Sequence, residues 1–118
     1  MSVLKEEEEF VSYVTEMMQA IGPVIAKRMF GGHGIFLDGL MFGLISDHVL
    51  YLKADKETEK DFNAKGLEAF KYYKKEKAYK LSYCQAPEET LEDSEEMKRW
   101  ANKAYDAAIR ASLKKQKK

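Results

Sequence analysis

The dipeptide Asp38-Gly39 lies between two apolar triplets, Ile35-Phe36-Leu37 and Leu40-Met41-Phe42, and it constrains the fold more than any other feature. A two-residue hairpin loop needs positive φ at both positions, which Asp-Gly adopts at small steric cost. The chain must therefore double back here as an antiparallel pair. Asp47-His48 is a weaker signal of the same kind, joining Phe42 to Ser46 with Val49 to Lys53. Residues 24–54 thus predict an antiparallel meander of about four strands.

On both sides of this region the hydrophobic period changes. Phe10, Val14, Met17, Met18 and Ile21 recur at spacings of three and four, predicting a helix from Leu4 to Ile21. Ser2 can cap it, Glu6 to Glu9 oppose its exposed N–H groups, and Gly22-Pro23 stop it. Asp55 can cap a short second helix that runs through Lys65, is anchored by Phe62 and ends at Gly66. Phe70 to Tyr73 and Tyr79 to Cys84 read as two further strands. Asp93 and Glu96 form a capping-box-like start for a third helix, whose stripe is Met97, Trp100, Ala101, Ala104, Ala108 and Ala111. No βα units alternate, so the expected class is α+β, an antiparallel sheet flanked by an N-terminal and a C-terminal helix. Strand 40–45 is apolar on both alternating sets, Leu40, Phe42, Leu44 and Met41, Ile45, which predicts a sheet covered on both faces, by helices or by a second protomer. That pattern and the alanine-rich last helix motivate a homodimer.

A chain of 118 residues, 45% hydrophobic, is long enough for one domain with its own core. Residues 114–118 are expected to form a disordered Lys-rich tail. The lone Cys84 cannot form an intramolecular disulfide and no secretory pattern opens the sequence, so a reducing cytoplasm is the expected compartment. Leu40 to Ile45 is far too short to cross a bilayer.

Catalytic patterns are sparse. Ser46-Asp47-His48 holds three triad residue types, but sequence neighbours point in different directions and the segment reads as a turn. A Cys84 nucleophile with His33 or His48 has no local pattern to support it, and an inert thiol is favoured. Two histidines fifteen positions apart carry no zinc spacing. The acidic runs 6–9, 57–61 and 88–96 sit at helix starts, where they offset the helix dipole. Gly31-Gly32-His33-Gly34 leads into a strand rather than a helix and reads as a tight corner, not a phosphate cradle. No catalytic residue, cofactor or metal is therefore expected, and a small hydrolase or ligand-binding enzyme built on this corner is the least favoured reading.

Charge gives a better lead. Twenty Lys+Arg balance twenty Asp+Glu, which excludes a polyanion binder held by overall charge. Locally the balance breaks: residues 1–22 carry five Glu and one Lys, and residues 94–118 carry eight Lys+Arg against three Asp+Glu. Lys71, Lys74, Lys75, Lys77 and Lys80 interleave with Tyr72, Tyr73, Tyr79 and Tyr83, a pattern on which single-stranded nucleic acid can stack and pair. With Lys114 and Lys115 it forms the candidate nucleic-acid surface. The competing reading is a sheet-edge hairpin whose lysines discourage edge pairing.

The run Arg28-Met29-Phe30-Gly31-Gly32-His33-Gly34-Ile35-Phe36, followed by Gly39, Phe42 and Tyr51-Leu52-Lys53-Ala54-Asp55, resembles the N-terminal domain of the TfoX/Sxy family. Ser82-Tyr83, Pro87 and a Trp-containing final helix arrive in the order of the same domain. The resemblance implies a stand-alone form of a bacterial, cytoplasmic, non-enzymatic regulator of competence genes. It also implies action with the cyclic-AMP receptor protein or the transcription machinery. The longer regulators carry a second domain that this chain does not reach, and Cys84 replaces an aromatic residue. Of the matched positions, Met29, Phe30, Ile35 and Phe42 read as core, and Gly31, Gly32, Gly34 and Gly39 as backbone requirements. Arg28 is the matched residue that packing explains least: it can hold a partner carboxylate or phosphate through its planar fork, or pair with an internal acid, which is the favoured reading.

Overall fold

Both hairpin dipeptides turn the chain as their residue types require: φ is 51° and 77° at Asp38 and Gly39, and 50° and 62° at Asp47 and His48. The structure, a computed structural model, describes residues 3–29, 31–74 and 77–116, and the side chains at 5–29, 31–71 and 81–115. Helix α1 (Val3–Met18) ends in a 3-10 turn (Gln19–Ile21) and is followed by strands β1 (Ile25–Met29), β2 (Gly32–Leu37), β3 (Leu40–Ser46) and β4 (Val49–Lys53). Then come α2 (Glu59–Ala64), β5 (Ala69–Lys74), β6 (Lys77–Gln85), a 3-10 turn (Glu88–Leu91) and α3 (Ser94–Gln116).

All neighbouring strands are antiparallel, in the order β1-β2-β3-β4-β6-β5. The meander thus holds through β4. The chain then crosses over, so that β6 pairs with β4 (Leu52 opposite Cys84, Lys53 opposite Tyr83) and β5 takes the outer edge. A bulge in the β2–β3 ladder skips Phe42, with Ile35 opposite Gly43 and Phe36 opposite Met41. The bulge brings Phe42 and Ile45 to the same side despite their odd spacing.

The core forms where α1 and α3 lie on that side. Val11, Val14 and Met18 from α1 meet Ile35, Leu37, Phe42, Ile45, Leu50 and Leu52 from the sheet. From α3, Met97, Trp100, Ala101, Ala104 and Ala108 complete it. The Trp100 ring lies 5.1 Å from Phe62, which carries α2 into the same core, and Tyr105 meets Phe42 edge-on at 5.7 Å. Ala111, expected in the stripe, is only half-buried.

Of the two ways to cover both faces, coverage by helices is not what the described residues show. Leu44 is as buried as the core but stands outside it, and its register partners Gly34 and Tyr51 share its side of the sheet. The helices cover one face, and the alternation of β3 is apolar on the other without a helix to match.

Smaller expectations also shift. Thr58, not Asp55, flanks α2, while the Asp55 carboxylate accepts hydrogen bonds from the N–H groups of Glu57 and Thr58 in the turn before it. Asp93 accepts from the Glu95 N–H, but Glu96 pairs with Arg99 at 3.2 Å rather than closing a capping box. Lys114 and Lys115 belong to α3, which continues to Gln116. Ser2, Phe30 and the last two lysines lie outside the described residues.

Among the glycines of the 31–34 run, Gly31 takes φ +74° in open space. A Cβ on Gly32 would collide with the backbone carbonyl of Ile45, and one on Gly34 with the Met29 sulfur. The corner reading therefore holds. Gly31→Ala should cost about 1 kcal/mol through left-handed strain alone. Gly32→Ala forces the β2–β3 ladder apart and should cost at least about 1 kcal/mol more by urea denaturation. Equal losses would show that the close approach is not what requires Gly32.

Candidate functional site: a basic cleft and an open sheet face

The crossover sets β4, β5, β6, α2 and the C-terminal half of α3 around one cleft of ≈ 650 Å³. Asp55, just past β4, anchors it: Arg110 on α3 donates to its carboxylate through Nε at 2.6 Å and Nη2 at 3.1 Å. Glu57 adds a third contact to Arg110 at 3.1 Å. The Arg110 hydrogen bonds, more than any other influence, hold the Asp55 carboxyl at about 2.

Lys53 closes β4 and donates to the Ser82 hydroxyl at 2.6 Å, with its ammonium 5.2 Å from the Tyr83 ring. Burial, and then the charge of Lys115, push the Lys53 ammonium below the ordinary lysine value, with Asp55 acting in the opposite sense. Burial also pushes the Tyr83 hydroxyl up to about 12.

Two residues nominated from distant segments converge here, since both Lys71 and Lys114 line the cleft and both are exposed. Lys115 is exposed close by. In the β5–β6 hairpin the backbone register sets Lys71 opposite Lys80, Tyr72 opposite Tyr79 and Lys74 opposite Lys77. Like charges directly opposite on neighbouring strands repel. Lys75 lies outside the described residues, as do the side chains of Tyr72, Lys74, Lys77 and Lys80. The basic end of α3 answers Asp55 and Glu57, not the acidic start of α1, where Glu7 instead faces His33 at 3.6 Å.

Arg28 does not join this group. It stands exposed on edge strand β1 and makes no ion pair among the described residues. Met29, expected in the core, is half-buried on the helix-free face of the sheet, where it lines a second cavity of ≈ 520 Å³ with Leu44, Tyr51, Phe70 and Leu81. Tyr51 and Phe70 meet edge-on at 4.8 Å across β6, and Lys27 covers the Phe36 ring at 5.1 Å. Sequence reasoning missed both cavities. The doubly apolar β3 was the available signal for the open face, while Lys53, Ser82 and Arg110 are scattered along the chain and carried none for the cleft.

The residues of the hydrolytic reading do not assemble. Ser46-Asp47-His48 forms the end of β3 and its turn, and His48 packs near Phe10 with ring centroids 6.4 Å apart. His33 on β2 and buried Cys84 on β6 are separated by three strand spacings, roughly 14 Å. Among the described residues, no group of three or more His, Cys, Asp or Glu converges as a metal site would require. No helix there is long and apolar enough to cross a membrane.

Arg110→Gln removes the charge-assisted bonds at the mouth of the cleft and should cost about 1 kcal/mol at pH 7, since Arg110 is a third exposed. The folded Asp55 pKa is depressed, from 3.8 to about 2. The stabilisation is therefore full above its ordinary value and lost as pH falls through the folded one. Urea titrations should show the gap between wild type and Arg110→Gln closing between these two values. A gap that persists at the acid end would assign the loss to packing.

The TfoX N-terminal domain matches residues 16–108. DNA transformation protein TfoX1 of Aliivibrio fischeri is 33% identical over 82 residues, covering 70% of this chain and 37% of that protein. This chain thus matches little more than a third of the length of that curated relative. The chain belongs to the TfoX family.

Proposed function

We propose that this domain is a non-enzymatic, cytoplasmic regulatory module of competence genes that acts by binding a protein partner. The observation that carries the reading is the helix-free sheet face, where Met29, Leu44, Tyr51, Phe70 and Leu81 line an apolar groove and Phe36 and Met41 lie beside Met29 around Gly34. Apolar surface of this kind gains free energy when a partner removes it from water. Lys71 and Asp47 lie at its rim, Glu68 acts on Tyr51, and Lys27 covers Phe36 nearby, so the rim around the apolar centre carries both signs of charge. The family tie supports competence regulation, and the cyclic-AMP receptor protein is the partner to test.

Purified cyclic-AMP receptor protein should bind immobilised domain in interferometry. Met41→Glu places a charge beside the groove and should weaken binding at least tenfold with an unchanged melting temperature. Leu113→Glu, an equal charge at an exposed site on α3, should leave binding intact. No binding by wild type, or equal loss in both variants, would overturn the reading. Sedimentation showing twice the chain mass, abolished by Met41→Glu, would assign the groove to a second copy instead.

A further inference from the structure

The cleft holds more positive charge than its own carboxylates neutralise. Arg110 is committed to Asp55 and Glu57, yet Lys53, Lys56, Lys71 and Lys114 also line or border the space and make no ion pair among the described residues. Glu59 and Glu68 are the other carboxylates in the wall. Lys115 lies close enough to disfavour charge on Lys53. Concentrating like charges around a concavity is unfavourable unless an anion occupies it.

The polar floor is arranged to receive one. Ser82 Oγ accepts the Lys53 hydrogen bond, which leaves its own O–H to donate into the cleft. Leu67, Leu81 and Ala111 add apolar lining, and a place in the cleft explains why Ala111 departs from the buried stripe. A volume of ≈ 650 Å³ lies within the range of small-molecule sites. A carboxylate would bring one charge, whereas a phosphomonoester brings nearly two and three acceptor oxygens, a closer match to paired lysines and a hydroxyl.

We propose that the cleft binds a small organic phosphomonoester, with its phosphoryl group on Lys53, Lys114 and the Ser82 hydroxyl and its apolar body against Leu67, Leu81 and Ala111. Leu81 and Lys71 also border the sheet groove, but the phosphoryl contacts Lys53, Lys114 and Ser82 lie outside it, so their variants test this site apart from the partner-binding reading.

Phenyl phosphate is a suitable probe, titrated near pH 7.5 against the full chain with backbone amide NMR. Saturable shifts are expected at Lys53, Ser82, Ala111 and Lys114. Lys53→Met and Lys114→Gln should each weaken binding about tenfold, while Lys27→Gln, on the far edge of the sheet, should not. Lys114 is exposed, so its variant keeps the test valid if Lys53→Met fails to fold. Absence of saturable shifts, or equal weakening by Lys27→Gln, would overturn the proposal. Equal affinity for inorganic phosphate would remove the apolar subsite, and equal affinity for benzyl alcohol the phosphoryl subsite. Tighter binding of an oligothymidylate, with a steep salt dependence, would assign the cleft to a nucleic-acid backbone instead.

Discussion

Ala101, Ala104 and Ala108 have almost no side chain to hold α3 away from the sheet, so the helix settles directly onto β3 and β4 and buries all three alanines. Close approach lets the large residues do the filling, with Trp100 against Phe62 and Tyr105 against Phe42. The other elements take their places from this contact. Helix α1 packs beside α3 on the same face, α2 is drawn in through Phe62, and the far half of α3 is carried past the end of β4 until Arg110 meets Asp55. The cleft is the space left where α3 overruns the sheet.

Local physics was legible in the sequence and long-range pairing was not. Asp38-Gly39 and Asp47-His48 act within two residues, so their hairpins, and with them β1 to β4, could be read directly. The periodic stripes of α1 and α3 were legible for the same reason. Nothing local tells β6 to choose β4 over the outer edge, because its alternating residues fit either place. The faces of β3 illustrate a different limit. Apolar residues on both sides of a strand state that both sides avoid water, not what covers them, and here Leu44 lines a groove rather than meeting a helix.

Charge followed the same division. The count at the two ends of the chain was correct, but its meaning depended on which acids the basic helix end would meet. The fold directs Arg110 to Asp55 and leaves Lys114 facing open space, so a chain with no net charge still presents a concentrated positive region. Lys53 and Ser82 join that region through an interstrand contact spanning 29 positions, a distance over which no motif operates.

The crossover also imposes an order on assembly. Strands β1 to β4 and the β5–β6 pair each join partners close in sequence, but β6 can meet β4 only after the long segment from Lys53 to Tyr83 has closed. Most of the loop entropy of the sheet is concentrated in that single seam of three registered pairs, Tyr51 with Gln85, Leu52 with Cys84 and Lys53 with Tyr83. The same seam supplies Lys53 and Cys84 to the cleft, with Ser82 just beyond its last pair. A half-assembled chain has the hairpins but not the cavity, so any occupant of that cavity draws only on the completed sheet and acts as a thermodynamic clasp on its last-joined strands.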